Sequence, residues 1–411
     1  MTRHACLHCD HMVTLPGLAE NQVALCPHCG YKLAQHSANP PSSVIALGFS
    51  AVIMLICALC FPFLSFSRQG LSHQVTLPDT APILFEYQYT VLAILFAVMT
   101  IVLPLLILML LMFLHTGILR RLPPVQAQRL LRFTLALCPW AMAEIFLVGV
   151  LVSMVKVMSL ADVGFGWSFW AYAAFVLLYI GCLSKLDRAR LWQQIQCEPP
   201  VNTAPDCDTA RAMDSGLYQC HTCHLLSRDL RCPRCNAHNH LRKPHSIQHT
   251  LAWLITAMLF FIPANLLPIM YTTTLGNPSG ATIIGGVIIL WEMGSYPIAM
   301  IIFFASIVLP LAKGMVLVWL CYISGQPPST QNATHAQIYR MTELIGKWSM
   351  VDVFVVMVLV TLVQLGNLMS ITPGLGVVCF GAMVICQMIS AHAFDPRLMW
   401  DTPKPIKGAS S

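Results

Sequence analysis

The chain has 411 residues, of which 57% are hydrophobic and only 10% are charged, and its formal net charge is +6. Soluble domains usually carry about 25% charged residues, so this chain has too few charged side chains to cover a water-facing surface. The composition therefore excludes an ordinary soluble protein and predicts an all-α polytopic membrane protein.

Two CxxC pairs open the chain, in a segment that we predict to be a first small domain over residues 1–40. Their thiols belong to Cys6, Cys9, Cys26 and Cys29. Two such pairs can hold four thiolates about 2.3 Å from one zinc ion, in a closed tetrahedral site without room for a substrate. We predict a structural zinc ribbon; iron in the same ligands, or a reduced thiol cluster without metal, are the alternatives.

Eight apolar runs then follow, and a run of about 20 residues is long enough to cross the hydrocarbon core of a bilayer. Four fall in a predicted membrane unit over 41–195 and four in a second over 246–402, before a tail at 403–411. The predicted spans are Val44–Phe66, Tyr89–Leu114, Leu135–Met158, Phe169–Lys185, Leu251–Tyr271, Tyr296–Tyr322, Ile345–Leu365 and Leu375–Ala393. The loops at 67–88 and 272–295 carry shorter apolar pieces, for which we expect interfacial or re-entrant helices.

A linker with a second cysteine set, over residues 196–245, joins the two membrane units. Its thiols belong to Cys220, Cys223, Cys232 and Cys235. The segment CHTCH also fits a c-type haem attachment motif, but the CxxC pair just downstream favours a second structural zinc ribbon. Cys57 and Cys60 have the same spacing inside an apolar run, where we interpret them as packing residues.

The two halves repeat one pattern. Cys26 and Cys232 are 206 positions apart, and the segment IVLPL occurs at 101–105 and again at 307–311. Later in each half the offset becomes 208, as between Trp140 and Trp348. Each unit begins on the same side of the membrane, so we predict parallel tandem repeats related by an axis along the membrane normal. A duplication without functional symmetry is the alternative.

The basic residues predict the orientation. Of the 23 Lys and Arg residues, 20 fall on the side that holds both termini. Cytoplasmic segments carry the excess of Lys and Arg, so we expect both termini and both ribbons in the cytosol. The positive charge reflects this sidedness and is no evidence for nucleic-acid binding.

Ionisable side chains inside predicted spans are costly and usually face the protein interior. We take these, with nearby hydroxyl residues, as candidates for a polar transport path: Lys156, Lys313, Ser153, Glu144, Asp352, Ser306 and Thr361. The alternative is that the lysines reach the membrane surface and the acids make structural hydrogen bonds. No nucleotide-binding, nucleophile-elbow or zinc-protease motif is visible, so we predict that the protein is not an enzyme.

Several segments together resemble the paraquat-inducible protein A family. They are CPHCG at 26–30, WAMAEIFLVGVLVS at 140–153, CPRC at 232–235, PANLLPIM at 263–270, SIVLPLAK at 306–313, KWSMVDVF at 347–354 and FDPRLMWD at 394–401. The resemblance implies a multi-pass protein of the Gram-negative inner membrane with tetraspanin-like units, and it implies that Lys156 and Lys313 belong to a polar pathway. It also implies an MCE-domain partner of the PqiB type, which forms a tunnel across the periplasm, and phospholipids as cargo.

Three hypotheses for the function follow. The first is lipid transport between membranes. The second is an anchor or assembly scaffold for the MCE partner, without a transport path of its own. The third is a cytosolic thiol or metal stress sensor.

Overall fold

Long helices and short antiparallel strands alternate along the chain. A computed structural model describes residues 2–15, 19, 22–35, 40–68, 71–86, 90–157, 162–195, 210–274, 277–292, 294, 296–327, 331–348, 350–362 and 369–401. The helices of the first half are α1 (Pro40–Cys60), α2 (Thr80–Glu86), α3 (Thr90–Ala97), α4 (Leu103–His115), α5 (Pro124–Leu137), α6 (Ala143–Val157), α7 (Trp167–Ser184) and α8 (Arg188–Gln194). Those of the second half are α9 (Ser246–Leu266), α10 (Ile283–Glu292), α11 (Tyr296–Phe303), α12 (Leu309–Ile323), α13 (Asn332–Trp348), α14 (Val351–Leu362) and α15 (Leu375–Ala393).

Among the described residues, seven helical segments are long and apolar enough to cross a bilayer. They are Pro41–Cys60, Thr90–His115, Pro124–Met154, Trp167–Ser184, Ser246–Leu266, Ala299–Ile323 and Leu375–Ala393. The chain is thus a multi-pass membrane protein. The predicted span over 345–365 is not among them, because α13 ends at Trp348, α14 covers only Val351–Leu362, and residues 363–368 lie outside the described ranges.

The described part of the chain is mostly helical, as predicted, but a three-stranded antiparallel sheet that the prediction lacked lies at one end of each half. The first is built from β5 (Leu64–Arg68), β6 (Leu71–Val75) and β7 (Asp162–Phe165). The second is built from β10 (Met270–Thr274), β11 (Asn277–Ala281) and β12 (Met369–Pro373). The predicted spans Val44–Phe66 and Leu251–Tyr271 ran into the central strands, since hydropathy does not distinguish an apolar strand from the end of a helix. The end of the molecule with these sheets is called the sheet end below.

The helices and strands of the first half recur in the second at one of two offsets. Helices α1 and α9 begin at residues 40 and 246, and α7 and α15 begin at 167 and 375. The strand register recurs too: Leu64 pairs with Phe165 in the first sheet, and Met270 pairs with Pro373 in the second. These offsets of 206 and 208 are the ones seen in the sequence.

Each half also has a π-helical turn within a long span, at Val98–Val102 and at Phe304–Val308. In each case a proline, Pro104 or Pro310, follows in the first turn of the next helix. Proline lacks an N–H group, and its ring collides with the carbonyl one turn earlier. The wider π turn accommodates this loss, and such turns are frequent at functional sites.

The opposite end carries the cysteine domains and is called the ribbon end. Ribbon 1 contains the hairpins β1 (Thr2–Ala5) with β2 (Met12–Leu15) and β3 (Val23–Leu25) with β4 (Lys32–Gln35). Ribbon 2 contains the short pair β8 (Tyr218–Gln219) and β9 (Leu226–Ser227).

Candidate metal centres and membrane polar groups

The predicted cysteines converge into two buried groups of four. In ribbon 1 the Sγ atoms of Cys6 and Cys29 are 3.5 Å apart, and those of Cys9 and Cys26 are 3.6 Å apart. In ribbon 2 the corresponding pairs are separated by 3.4 and 3.3 Å. Within each group all four sulfur atoms lie within 4.8 Å of one another. Sulfur atoms bound to one tetrahedral ion at about 2.3 Å would be about 3.8 Å apart, so each group fits a single metal ion.

The same type of backbone turn follows each CxxC pair and positions its thiols. The residue after each CxxC pair has positive φ, and its N–H donates to the carbonyl of the first cysteine at 2.8 to 3.0 Å. These residues are Asp10, Gly30, His224 and Asn236. Glycine, asparagine and aspartate tolerate this left-handed conformation best. The turn folds each CxxC pair back on itself, so both of its sulfur atoms face the same point.

In ribbon 2 this arrangement accounts for the CHTCH segment. Cys220 and Cys223 both face Cys232 and Cys235, and the thiols of all four are at most 3% exposed. The geometry is that of a four-thiolate metal site and gives no support to haem attachment. The thiols of Cys57 and Cys60 belong to neither four-cysteine group.

Each ribbon is seated on the opposite half of the chain. The cysteines of ribbon 1 pack in one apolar cluster with Tyr339, Phe394 and Trp400 of the second half. Arg340 on α13 donates to the carbonyl of Cys29 at 3.0 Å. Ribbon 1 precedes the first membrane unit in sequence, yet its packing partners belong to the second.

Ribbon 2 shows the reciprocal arrangement. Its cysteines share an apolar cluster with Leu131 on α5 and Trp192 on α8, both in the first half. Gln128 on α5 donates to the carbonyl of Arg234 at 2.9 Å. The two ribbons therefore cross over, an exchange that sequence reasoning missed.

A partly buried ion network ties the crossed ribbons to the last helix. The guanidinium of Arg242 contacts both carboxylate oxygens of Asp401 at 2.7 Å, and it reaches Asp10 of ribbon 1 at 3.1 Å. Lys243 donates through its backbone N–H to Asp395, just beyond α15, at 3.0 Å. Bidentate Arg–carboxylate pairs are among the stronger charged hydrogen bonds. The network thus joins ribbon 1, the segment after ribbon 2 and the end of α15.

Within the membrane, Lys313 is the best defined of the predicted path residues. Its side chain is only 5% exposed, and it lies on the same buried face as Ser306, seven residues earlier in the π-helical turn. Its ammonium group makes no hydrogen bond or ion pair of 4 Å or less with the described part of the chain, although the Glu343 carboxylate acts on it electrostatically. The ammonium lies against Gly346 on α13, where an added Cβ would be 2.5 Å from Nζ.

The other predicted path residues are placed differently. Ser153 is fully buried, but its hydroxyl donates to the carbonyls of Gly149 and Val150 within α6. Glu144, also on α6, is half-buried and acts electrostatically on two tyrosine side chains of α7. Lys156, Asp352 and Thr361 lie in helices α6 and α14, with their side chains outside the described part of the structure.

Sequence reasoning missed several buried polar residues of the spans, among them Thr100, Gln387, Tyr172 and Tyr179. Thr100 is the counterpart of Ser306 and bonds to the carbonyl of Phe96 at 2.6 Å. Gln387 on α15 donates to the carbonyl of Pro310 at 3.0 Å, and its Oε1 has no hydrogen-bond partner in the described ranges. The hydroxyls of Tyr172 and Tyr179 are likewise buried without such a partner there. Since Tyr179 and Gln387 are 208 positions apart, the repeat offset was the one signal that could have paired them.

Comparison with known sequences identifies relatives over nearly the whole chain. The sequence profile of paraquat-inducible protein A matches residues 42–196 and 247–404. The intermembrane transport protein PqiA of Escherichia coli K12 is 37% identical over 398 residues, which cover 96% of this chain and 95% of the relative. No solved structure matches the chain.

Two further relatives are more distant. A probable intermembrane transport protein of Haemophilus influenzae is 28% identical over 410 residues, with 96% of this chain and 95% of the relative covered. The lipophilic envelope-spanning tunnel protein A of Escherichia coli K12 is 28% identical over 399 residues, with 96% and 90% covered. These matches, together with the two four-cysteine groups and the membrane helices, show that the chain belongs to the paraquat-inducible protein A family.

Proposed function

We propose that the protein is the inner-membrane component of an intermembrane lipid transport system. It passes phospholipid or another amphiphile to or from a periplasmic tunnel built by an MCE-domain partner of the PqiB type. The names of the relatives support a transport role, since three of them are described as intermembrane transport or envelope-spanning tunnel proteins. None of these names describes an enzyme.

The observation that carries the proposal is the buried ammonium of Lys313. A charged group inside a membrane protein is costly, and it is normally paired or placed beside a cavity or pathway. Lys313 has no hydrogen bond with the described residues, and Gly346 leaves the space beside its ammonium free of a side chain. This position suits a group that meets the phosphate or carboxylate of a passing amphiphile.

The two halves are parallel, tetraspanin-like repeats, with units over 41–195 and 246–402, and both termini lie in the cytosol. Cytosolic thiols stay reduced and favour metal over disulfide, so each ribbon holds one structural zinc ion. The cysteines are buried, which disfavours a thiol sensor, because reactive thiols are usually accessible.

The test compares Lys313→Met with Lys185→Met in a strain that lacks the native gene. Lys185 follows α7 at the ribbon end, so its variant removes the same charge outside the apolar spans. We expect Lys313→Met to lose complementation of envelope integrity and to lose co-purified phospholipid, while still binding the MCE partner. The Lys185→Met control should behave like the wild type.

Two results would oppose the proposal. Full complementation by Lys313→Met would remove this residue from any transport path. If the variant folded but no longer bound the MCE partner, an anchor or scaffold would explain the data better.

A further inference from the structure

A cavity of about 510 Å³ opens at the ribbon end of the first half. This volume lies in the range of about 300–1,000 Å³ that is typical of small-molecule sites. Its walls come from the start of α1, the end of α4 with the turn that follows, and helix α8. The lining residues are Pro41, His115, Thr116, Gly117, Arg120, Arg190, Gln193 and Gln194.

The lining is basic. Arg120 and Arg190 bring two guanidinium groups to the cavity from different elements. His115 is 8% exposed, and its Nδ1 lies 2.8 Å from the carbonyl oxygen of Leu111. A carbonyl oxygen only accepts, so Nδ1 carries a proton; Nε2 of the neutral ring is then an acceptor, and the positive charge of the lining comes from the two arginines. The start of the long helix α1 adds the positive end of its dipole.

Positive charge in the lining exceeds the negative charge that the neighbouring residues supply. One acid, Asp187, lies in an adjoining small cavity. Its carboxylate already accepts the backbone N–H of Arg190 at 3.1 Å, as the cap of α8. The two guanidinium groups therefore outnumber the neighbouring carboxylate.

The second half does not repeat this site. By the offsets of 206 and 208, His115 corresponds to Cys321, Arg120 to Gln326 and Arg190 to Leu398. Cys321 is buried in the cluster that seats ribbon 1. The basic lining is thus specific to the first half and is not a by-product of the repeated fold.

We propose that this cavity binds a phosphate group, carried either by a phospholipid headgroup at the membrane surface or by a free phosphate ion. Arginine suits this ligand because its planar fork of donors matches phosphate oxygens. The site lies where two membrane spans, Pro41–Cys60 and Thr90–His115, reach the ribbon end. It goes beyond the proposed lipid transport and does not depend on it, because binding is measured without transport.

The experiment uses the purified full-length protein in detergent micelles and isothermal titration calorimetry. Dihexanoylphosphatidylglycerol is titrated in one arm and sodium phosphate in the other. The cavity variant is Arg120→Gln/Arg190→Gln. The matched control is Arg121→Gln/Arg188→Gln, which removes the same charge from exposed neighbours that do not line the cavity.

We expect the wild type to bind at least one probe saturably. The cavity variant should bind that probe at least about tenfold more weakly, as expected when charge-assisted hydrogen bonds are removed. The affinity of the control variant should stay within about twofold of the wild type. Binding of the lipid alone would identify a headgroup site, whereas binding of both probes would identify a phosphate site open to free ions.

The proposal is overturned if neither probe binds saturably, if the cavity variant binds like the wild type, or if the control loses as much affinity. The melting temperatures of the wild type and the variants are compared first. Should the glutamine variant unfold early, Arg120→Lys/Arg190→Lys replaces it. That pair keeps the charge but loses the planar fork, and it should still weaken binding.

Discussion

Phe146 and Phe354 pack edge to face between α6 and α14, with ring centroids 5.7 Å apart and planes at 81°. Both side chains are 1% exposed. They are 208 positions apart, the offset that also separates the starts of α7 and α15. This aromatic pair is one contact between the two halves.

Close packing at this contact predicts the effect of a single methyl group. A Cβ at Gly149 would lie 3.0 Å from Cβ of Phe354 and 3.4 Å from the carbonyl oxygen of Val351. We expect Gly149→Ala to destabilise the protein by about 1–3 kcal/mol through overpacking. Gly181→Ala is the control, because its Cβ would meet only Leu47, at 3.8 Å. Thermal unfolding in detergent checks the pair, and equal melting temperatures would contradict the prediction.

The space beside Lys313 can be filled from the neighbouring helix. A Cβ in Gly346→Ala would lie 2.5 Å from Nζ and 3.1 Å from Cε of Lys313, so the flexible lysine must move. We expect a lower melting temperature and failed complementation of envelope integrity, with normal accumulation and metal content. In the double variant Gly346→Ala/Lys313→Ala the obstructing side chain is gone, so the melting temperature should recover while complementation stays lost. Full activity of Gly346→Ala would show that the position of the ammonium does not matter.

Because each ribbon packs against the opposite half of the chain, loss of its metal ion should loosen that half. Cys26→Ser/Cys29→Ser should reduce the metal content from two ions per chain to one, measured by elemental mass spectrometry. Hydrogen exchange should then rise in α13 of the second half, because Arg340 and Tyr339 lose their partners in ribbon 1.

The reciprocal variant supplies the control. Cys232→Ser/Cys235→Ser should raise exchange in α5 of the first half, where Gln128 and Leu131 contact ribbon 2. If each variant instead loosened the half that follows its ribbon in sequence, the crossed arrangement would be wrong.

Asp187 and Asp395, which are 208 positions apart, should differ strongly in their contribution to stability. Asp395 is buried and accepts hydrogen bonds from Arg397 at 2.9 and 3.0 Å, so Asp395→Ala leaves that guanidinium buried and unpaired. We expect a loss of about 3–5 kcal/mol. Asp187→Ala removes only a helix cap, which costs about 1 kcal/mol. Thermal unfolding of the two variants gives the comparison, and similar losses would contradict it.

Acidification should reveal the same ion pair. Burial alone would raise the pKa of Asp395, but the hydrogen bonds and charge of Arg397 override it and hold that pKa below 3.8. A lowered folded-state pKa contributes stability above the unfolded value of about 3.9, and that stability is lost as the pH falls through the folded pKa. We expect the stability of the wild type to fall below about pH 4, with a shallower fall in Asp395→Asn. Parallel pH profiles would exclude this contribution.

Local sequence was enough to predict the cysteine groups and most of the membrane helices. The ligands of each ribbon come from CxxC pairs only 17 to 23 residues apart in ribbon 1, and 9 to 15 apart in ribbon 2. Burial of Lys313 and Ser306 on one face followed from their seven-residue spacing. These features depend on short-range spacing and hydropathy, which a single sequence displays directly.

The pairing of strands that are distant in sequence could not be predicted from local spacing and hydropathy. Strand β5 is five residues long, and its partner β7 lies about 100 positions away, as in the pairing of Leu64 with Phe165. Apolar residues in such strands look like the end of a span. The hydrogen bonds of Ser153 within its own helix, and the exchange of the ribbons, depend on packing that spacing alone does not encode.

The exchange of the ribbons also sets an order of events during synthesis. The cysteines of ribbon 1 leave the ribosome before α1, but the surface that receives them includes Tyr339, Phe394 and Trp400, the last two of which follow α15. Ribbon 1 must therefore remain undocked, with or without its metal ion, while both membrane units insert. Its docking therefore reports that α15 and the segment after it have been synthesised.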